Sequence, residues 1–157
     1  MRWLSARSRR AESQTLLFPL FQVRYPMRKI LTIAATLCLL SVGAAQAFTI
    51  EFDWAGLKSC TSGNPNTVAN PEFVLKNVPA GTAFIRFKLI DRNVPDFNHG
   101  GGVVSWAGEA TVKTGAFKYK SPCPPNGSHN YEWTATAQSK KNGGALAKAK
   151  ASRNYPE

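Results

Sequence analysis

Strict alternation of apolar and polar residues marks three segments of the chain. Residues 48–54 (FTIEFDW) place aromatic and aliphatic side chains on one face and Thr, Glu and Asp on the other. Residues 131–137 (YEWTATA) repeat the pattern, and residues 83–91 (AFIRFKLID) combine it with Phe, Ile and Leu. A two-residue period with β-branched and aromatic enrichment is typical of strands buried on one face. These segments therefore predict central strands of a sheet.

Turn-forming residues divide the rest of the chain into short elements. Loops are predicted where Gly, Pro, Asn and Ser are frequent, at 60–70, 92–102 and 121–129, and turns at 79–82 and 142–144. Weaker strands are predicted at 71–78, 102–106 and 111–119. Residues 145–151 (ALAKAKA) are ambiguous, because Ala and Lys favour a helix whereas the alternation favours an edge strand. Short strands with frequent turns predict a single-domain all-β sandwich with at most minor helix.

The N-terminal part of the chain has the layout of a secretory signal peptide. Two basic residues precede an uncharged apolar run, Ile30–Val42, which is followed by the small-residue stretch Gly43–Ala47 (GAAQA). This order of a basic, an apolar and a small-residue region predicts cleavage after Ala47. Residues 1–47 are thus an upstream extension and signal peptide, and residues 48–157 are the mature domain, which we expect to be periplasmic or secreted.

An uncleaved membrane anchor and a later start of translation are the alternatives for this region. The uncharged stretch runs from Ile30 to Ile50, but its last third is small or polar. That composition favours cleavage, after which we expect no integral membrane association. Met27 lies directly before the basic pair, so translation starting at Met27 rather than Met1 is also open.

Length and charge narrow the function classes. A chain of 157 residues leaves room for one ordinary domain and excludes a TIM barrel or a multidomain enzyme. The formal net charge of +11 divides into +6 for residues 1–47 and +5 for residues 48–157. The mature domain lacks the interleaved aromatics and motifs of nucleic-acid-binding modules, so we expect no nucleic-acid partner. Its lysines are interpreted as surface groups that aid solubility or attract anionic lipids and polymers.

The mature domain contains two cysteines, Cys60 and Cys123. An even number of cysteines in an oxidising compartment predicts one disulfide. Closing a loop of roughly 60 residues would stabilise the fold by about 4 kcal/mol in the chain-entropy description. Two separate buried thiols are the alternative.

Polar residues fall at the ends of two predicted strands. Asp91 ends segment 83–91 and has the parity of its apolar positions, so it faces the core. By the same parity, His129 and Tyr131 face inward at the start of segment 131–137. Buried polar groups need hydrogen-bond partners, and an open cavity at one end of the sandwich would supply them.

Three stretches make the chain similar to a known family. Phe73–Ala83 (FVLKNVPAGTA) resembles a strand followed by a VPxGT turn. Leu89–Pro95 (LIDRNVP) with His99 resembles a D-P-D-x-P segment followed by a histidine, and Tyr119–Tyr131 (YKSPCPPNGSHNY) resembles a Y-x-G-P-x-P-P-x-G-x-H-R-Y stretch. Together they resemble the phosphatidylethanolamine-binding protein family, also called Raf-kinase-inhibitor-like, in its bacterial exported branch. The chain departs from that pattern at four positions: Arg92, Asn93, Gly100 and Asn130.

The resemblance implies a cavity that binds anions such as phosphate or a phosphoethanolamine headgroup. Imidazole N–H and phenol O–H groups donate to phosphate oxygens, and a carboxylate can accept from a histidine or from a ligand ammonium. Since two histidines titrate near neutrality, affinity for a phosphomonoester is expected to weaken as the pH rises. The implied function is non-catalytic and needs no cofactor. The residues carried over as ligand-binding are Asp91, Pro95, His99, Cys123, His129 and Tyr131, with backbone amides near Ser121–Cys123.

Other chemistries are open on the same residues. Two histidines and Asp91 are a known metal-ligand set, but their spacing is not diagnostic, and we expect no metal. Residues 99–102 (HGGG) copy an esterase oxyanion motif without the G-x-S-x-G elbow that accompanies it, which disfavours a weak hydrolase. The main alternative is a protein-interaction or inhibitor module that acts on an exported or host protein.

Overall fold

The computed structural model describes residues 46–157. The predicted signal peptide and the two alternative start residues lie outside this range, apart from Gln46 and Ala47, which are exposed coil. Within it no helix is formed, and hence none that could cross a bilayer. The strands, in chain order, are β1 (Thr49–Phe52), β2 (Thr67–Ala69), β3 (Phe73–Lys76), β4 (Phe84–Asp91), β5 (Gly101–Ser105), β6 (Thr111–Val112), β7 (Lys118–Lys120), β8 (His129–Lys140) and β9 (Gly143–Tyr155).

Three antiparallel sheets contain these strands. The main sheet has the order β5-β4-β8-β9, a second sheet has the order β1-β3-β6, and β2 pairs with β7. In the main sheet β4 pairs with β8 along its whole length, and β8 continues into β9 through a tight hairpin in which Lys140 pairs with Gly143. The main sheet therefore provides the long central strands.

Aromatic packing joins the main sheet to the second sheet. The alternation in β4 buries Ile85, Phe87 and Leu89, as its pattern predicts. Phe73 of β3 stacks on Phe87 with ring centroids 4.4 Å apart and meets Trp133 of β8 edge-on at 5.2 Å. The two sheets thus pack face to face around an aromatic core, which confirms the predicted all-β sandwich.

Most predicted strands are present with shifted ends. β1, β3 and β4 lie inside the predicted segments, β5 starts one residue early, and β8 extends past both predicted ends. Two predictions are wrong in detail. The predicted loop 60–70 contains β2, and the predicted strand 111–119 splits into β6 and β7, which belong to different sheets. β2 exists through pairing with β7, a distant partner that local turn residues cannot reveal.

The ambiguous residues 145–151 are strand, inside β9. Since β9 pairs with β8 from its first residue to its last, cross-strand pairing overrides the helix propensity of Ala and Lys. The alternation buries Ala149 and leaves Lys148 and Lys150 pointing away from the core. A bulge falls where Ala137 pairs with Ala147 and the next pair skips one residue of β9.

Two strand ends and two loops meet at one end of the main sheet. Asp91, the last residue of β4, pairs with Tyr131 near the start of β8. The loop 92–100 leaves from this end, and the proline-rich residues 121–128 arrive at it. This end of the sandwich therefore gathers the polar residues that the sequence places at strand termini.

Candidate functional site

Three polar side chains meet where β4 ends and β8 begins. Asp91 lies opposite Tyr131, and His129 is two residues before Tyr131 on the same strand. Because side chains alternate across a strand, all three share the face that carries the core. Asp91 is only 4% exposed, so its carboxylate depends on protein groups for hydrogen bonds.

The Asp91 carboxylate is held by donors on both oxygens. Nδ1 of His129 lies 2.7 Å from Oδ2, and Oδ1 accepts the N–H groups of Asn93 at 2.9 Å and Val94 at 3.2 Å. Burial alone would raise the pKa of Asp91, but the hydrogen bonds from His129, Asn93 and Tyr131 outweigh it and hold the pKa below its ordinary value of 3.8. Asp91 is therefore ionised, and it orients the His129 ring with the Nδ1 proton toward itself.

His99 reaches the same place from the loop 92–100. Its Nδ1 lies 2.9 Å from the carbonyl oxygen of Lys120, and the Lys120 N–H donates back to the His99 carbonyl at 2.8 Å. A carbonyl only accepts, so Nδ1 carries the proton and Nε2 has a lone pair in the neutral ring. Burial lowers the pKa of His99 below 6.5, which keeps the ring neutral at pH 7.

Tyr131 lies between the two imidazoles. Its ring centroid is 5.4 Å from that of His99, with the rings perpendicular, and 6.3 Å from that of His129, with the rings nearly parallel. Burial and the neighbouring Asp91 raise the pKa of Tyr131. The phenol of Tyr131 is therefore neutral, and its ring packs against both imidazoles.

These groups line one cavity of about 180 Å³. Its rim carries two exposed apolar side chains, Val94 at 45% and Phe97 at 37% exposure, and Lys120 Nζ lies 5.3 Å from the Phe97 ring centre. The volume is below the range of roughly 300–1,000 Å³ found for drug-sized ligands, so the cavity suits a small ion or headgroup. The lining residues are Gly63, Pro65, Asp91, Val94, Phe97, His99, Cys123, Pro124, Pro125, His129 and Tyr131.

Two solved structures have a fold similar to that of this chain. A phosphatidylethanolamine-binding protein homologue of Chlamydia trachomatis, CT736, matches with a TM-score of 0.51 and 14% identity, over 71% of this chain and 98% of that chain. E. coli YbcL, a member of the mammalian phosphatidylethanolamine-binding protein family, matches with a TM-score of 0.53 and 16% identity, over 70% and 98%. The fold is that of the phosphatidylethanolamine-binding proteins. No protein-family model and no curated protein matches the chain, so this likeness is one of fold.

A disulfide completes one wall of the cavity in this phosphatidylethanolamine-binding fold. Cys60 and Cys123 are bonded, with Cα atoms 4.7 Å apart, which confirms the predicted pairing. Cys123 lines the cavity, and the bond ties it to the loop that supplies Gly63 and Pro65 to the same lining. The bond thus fixes two chain segments 63 residues apart in sequence around the same space.

Several residues expected at the site lie beside the cavity or have other hydrogen-bond partners. Pro95 does not line the cavity; it lies inside the turn closed by the Phe97 N–H donating to the Val94 carbonyl at 3.1 Å, and so places these two rim residues. The Ser121 N–H donates to the Asn66 carbonyl at 2.8 Å, and residue 122 is a proline without an N–H. Of the backbone amides expected near Ser121–Cys123, that of Ser121 is therefore already engaged.

The departures from the family pattern have local partners. Arg92 Nη1 lies 2.7 Å from Glu132 Oε2, and the side-chain oxygen of Asn93 accepts the Asn130 N–H at 2.9 Å. Asn130 also donates to Asn154 at 2.9 Å. These contacts connect the loop after β4 to β8 and β9, outside the cavity wall.

A larger cavity of about 290 Å³ lies elsewhere, beside Trp54, Val68 and Tyr119. The side-chain amide of Asn70, which is buried beside this cavity, already has backbone partners. It donates to the carbonyls of Pro71 and Lys113 and accepts the Phe117 N–H. Within residues 46–157 no three His, Cys, Asp or Glu side chains gather as a metal site. Of these two cavities, the one lined by Asp91, His99 and His129 therefore has the side chains that could bind a ligand through charge and hydrogen bonds.

Proposed function

We propose that this protein is an exported, non-catalytic binding protein for a small phosphate-bearing anion or headgroup, and that its cavity takes up a proton with the anion. The observation that carries the proposal is the matching geometry of both imidazoles. Each Nδ1–H is held by a fixed acceptor, the Asp91 carboxylate or the Lys120 carbonyl. Each ring therefore has only its Nε2 left for a ligand.

Protonation converts this cavity from an acceptor site to a donor site. In the neutral rings, the Nε2 atom of each imidazole presents a lone pair. Neither imidazole offers an anion a donor until a proton adds to its Nε2. An anion in the cavity would stabilise the imidazolium of His99. The resulting N–H groups give charge-assisted bonds to phosphate oxygens.

The coupling between anion binding and protonation of the histidines sets the sign of the pH dependence of affinity. Burial lowers the pKa of His99, and a bound anion opposes that shift. Binding therefore takes up a proton, and affinity increases as the pH falls through the histidine range. A ligand held mainly by its ammonium group would show the opposite sign, since it needs the neutral Nε2 lone pairs and the Asp91 carboxylate.

Export is supported by two features. The basic, apolar and small-residue order before residue 48 is that of a signal peptide, and the Cys60–Cys123 bond is stable in an oxidising compartment. The apolar rim of Val94 and Phe97 would face the glycerol and acyl part of a lipid whose headgroup enters the cavity.

Calorimetric titration tests the binding proposal. Sulfate, whose charge is constant over the range, inorganic phosphate, O-phosphoethanolamine and ethanolamine are titrated at pH 5.5 and pH 8. We expect sulfate to bind at least about tenfold more tightly at pH 5.5, and binding to be lost in His129→Ala, since one charge-assisted bond contributes roughly 1.5–3 kcal/mol. Asn98→Ala, an exposed change in the neighbouring loop, is the matched control that should bind normally.

The outcomes separate the ligand classes. Phosphoethanolamine binding better than phosphate would assign a lipid headgroup, and equal binding would assign free phosphate. Ethanolamine alone binding more tightly at pH 8 would replace the anion with an ammonium ligand. Sulfate and phosphate that bind equally at both pH values, or equally to His129→Ala, would overturn the proton-linked site.

A protein partner is the second candidate, because Val94 and Phe97 are both exposed at one edge of the opening. A peptide side chain or C-terminal carboxylate could then occupy the cavity. Val94→Ser with Phe97→Ser would weaken capture of such a partner while leaving sulfate binding intact, which separates this candidate from the first.

A further inference from the structure

The outer face of the main sheet carries two rows of cations. Residue pairing places Arg86, Thr136 and Lys148 in one row across β4, β8 and β9. Lys88, Thr134 and Lys150 form the next row. These side chains alternate with the buried residues of the same strands, so they share the solvent side. The cationic face is defined here as Arg86, Lys88, Lys148 and Lys150.

Little negative charge compensates these cations. The outward positions of the four strands include one acid, Glu132, and it is shared by Arg92 at 2.7 Å and Lys150 at 2.9 Å. Lys88 and Lys148 form no ion pair within residues 46–157. Arg86 donates only to neutral oxygens of the β8–β9 hairpin. The face therefore keeps a positive potential toward solvent.

A shallow depression of about 270 Å³ opens on the same side, between the basic side chains and the start of β5. Arg86 and Lys88 form one wall, and Gly100–Gly102 with Asn98 form the other. A Cβ at Gly101 would overlap the Phe87 carbonyl oxygen, so glycine lets the two backbones approach closely. The glycine run after His99, which does not line the histidine cavity, thus forms the wall of the recess opposite Arg86 and Lys88.

The four charges are spread over an area rather than along a line, which favours a partner with an extended anionic surface. Two strand spacings separate β4 from β9 and two residues separate the rows, so the four charges cover about 10 Å by 7 Å of one sheet face. A single nucleic-acid strand is bound along a groove with aromatic platforms, whereas this face presents charges in an array. Each Lys or Arg near an anionic leaflet contributes about 1 kcal/mol to attraction.

We propose that the cationic face docks on a membrane surface rich in anionic phospholipid, with a lipid phosphate seated in the recess beside Arg86 and Lys88. The inference is independent of the proton-linked cavity, since the cavity opens on the inward face of the sheet at its end. Docking is electrostatic and peripheral, so it weakens as salt screens the charges.

Vesicle co-sedimentation tests the proposal with the purified chain, its N-terminal residue established by mass spectrometry. Vesicles of phosphatidylcholine alone and of phosphatidylcholine with phosphatidylglycerol are compared at low and high salt. Lys88→Gln with Lys148→Gln should bind the anionic vesicles roughly 30-fold more weakly, since two surface charges are lost. The matched control is Lys113→Gln with Lys118→Gln, which removes the same charge from exposed positions off this face and should bind like the parent.

Three results would contradict docking by the cationic face. They would indicate docking by the cavity, binding by no particular face, or binding to a nucleic acid. His129→Ala should keep vesicle binding, and its loss there would assign docking to the cavity. Equal binding by the two double variants would mean that no particular face is used, and tighter binding to single-stranded RNA than to anionic vesicles would assign a nucleic-acid partner. Any of these three results would overturn the proposal; urea unfolding of each variant establishes that it is folded.

Discussion

At the scale of single residues, the site depends on a carboxylate whose oxygens all have donors. Asp91 fixes the ring of His129, and through the N–H groups of Asn93 and Val94 it also fixes the first turn of the loop. A charged group in this position stabilises the fold only while it is ionised. The pH dependence of stability therefore reports on it directly.

Asp91→Asn should lower the free energy of unfolding at pH 7 by about 1–3 kcal/mol, because a buried charge-assisted network loses its acceptor. The pKa of Asp91 is depressed in the folded state, so its contribution is present above the ordinary value of 3.8 and is lost as the pH falls through the lower folded value. Urea unfolding at pH 7 and pH 2.5 measures the difference, which should shrink in acid.

Asp96→Asn is the control, since Asp96 is exposed in the same loop and loses the same charge. It should be nearly neutral at both pH values. A loss for Asp91→Asn that is equally large at pH 2.5 would contradict the role assigned to its ionised form.

Side-chain parity on regular strands predicts part of this site. Asp91, His129 and Tyr131 lie on strands, and the two-residue period alone puts them on the inward face. His99, Val94 and Phe97 belong to a loop without periodicity, so no pattern gives their direction. The hydrogen-bond partner of His99 could not be predicted from the sequence either, because the Lys120 carbonyl that accepts its Nδ1 proton belongs to another strand, β7.

At the scale of elements, β5 shows how close packing limits what the chain can carry. Gly101 has φ 152° and faces the Phe87 carbonyl, whereas Gly100 has φ 78° and open space around its Cα. Both glycines adopt a backbone with positive φ, but only one is also confined by its neighbour. An alanine at either position meets an unfavourable positive φ, and at Gly101 it also meets a steric overlap.

Gly101→Ala should lower the free energy of unfolding by more than about 2 kcal/mol, because the added methyl group pushes β5 off β4. Gly100→Ala should cost only about 1–2 kcal/mol, the penalty of left-handed backbone for an L-residue. Chemical denaturation of both variants measures this order. A smaller loss for Gly101→Ala than for Gly100→Ala would show that β5 does not press on β4 as described.

The central elements follow from local pattern more closely than the short ones do. β4 and β8 have alternation over most of their length and pair with each other, so pattern and tertiary structure agree. β2 and β7 have three residues each and exist through mutual pairing between Thr67–Ala69 and Lys118–Lys120, which are far apart in the chain. Contacts of that range leave no local signal, and the same holds for the boundary between β6 and β7.

At the scale of the whole molecule, the Cys60–Cys123 bond links stability to the cavity. It joins the loop containing Gly63 and Pro65 to the proline-rich segment that supplies Cys123, Pro124 and Pro125. Without the bond, that loop is still attached to the proline-rich segment by two hydrogen bonds, from the Asn66 N–H to Ser121 Oγ at 3.2 Å and from the Ser121 N–H to the Asn66 carbonyl at 2.8 Å. Reduction should therefore affect binding as well as folding.

Reduction, or Cys60→Ala with Cys123→Ala, should lower the free energy of unfolding by about 4 kcal/mol, as expected for a loop of this length. Sulfate affinity at pH 5.5 should fall by at least about fivefold at a temperature where the protein stays folded, since part of the wall is released. Calorimetry on oxidised and reduced protein checks both. Unchanged affinity in the reduced, folded state would show that the loop does not shape the binding space.

The Cys60–Cys123 bond forms only after synthesis, so the protein exists for a time without it. Under the proposed function, a newly made copy in reducing surroundings would have the strands and both imidazoles but no covalent bond in the cavity wall, and would bind the anion weakly. Capacity to capture would then follow oxidative maturation rather than synthesis, so immature copies would not compete for the cell's internal phosphate compounds.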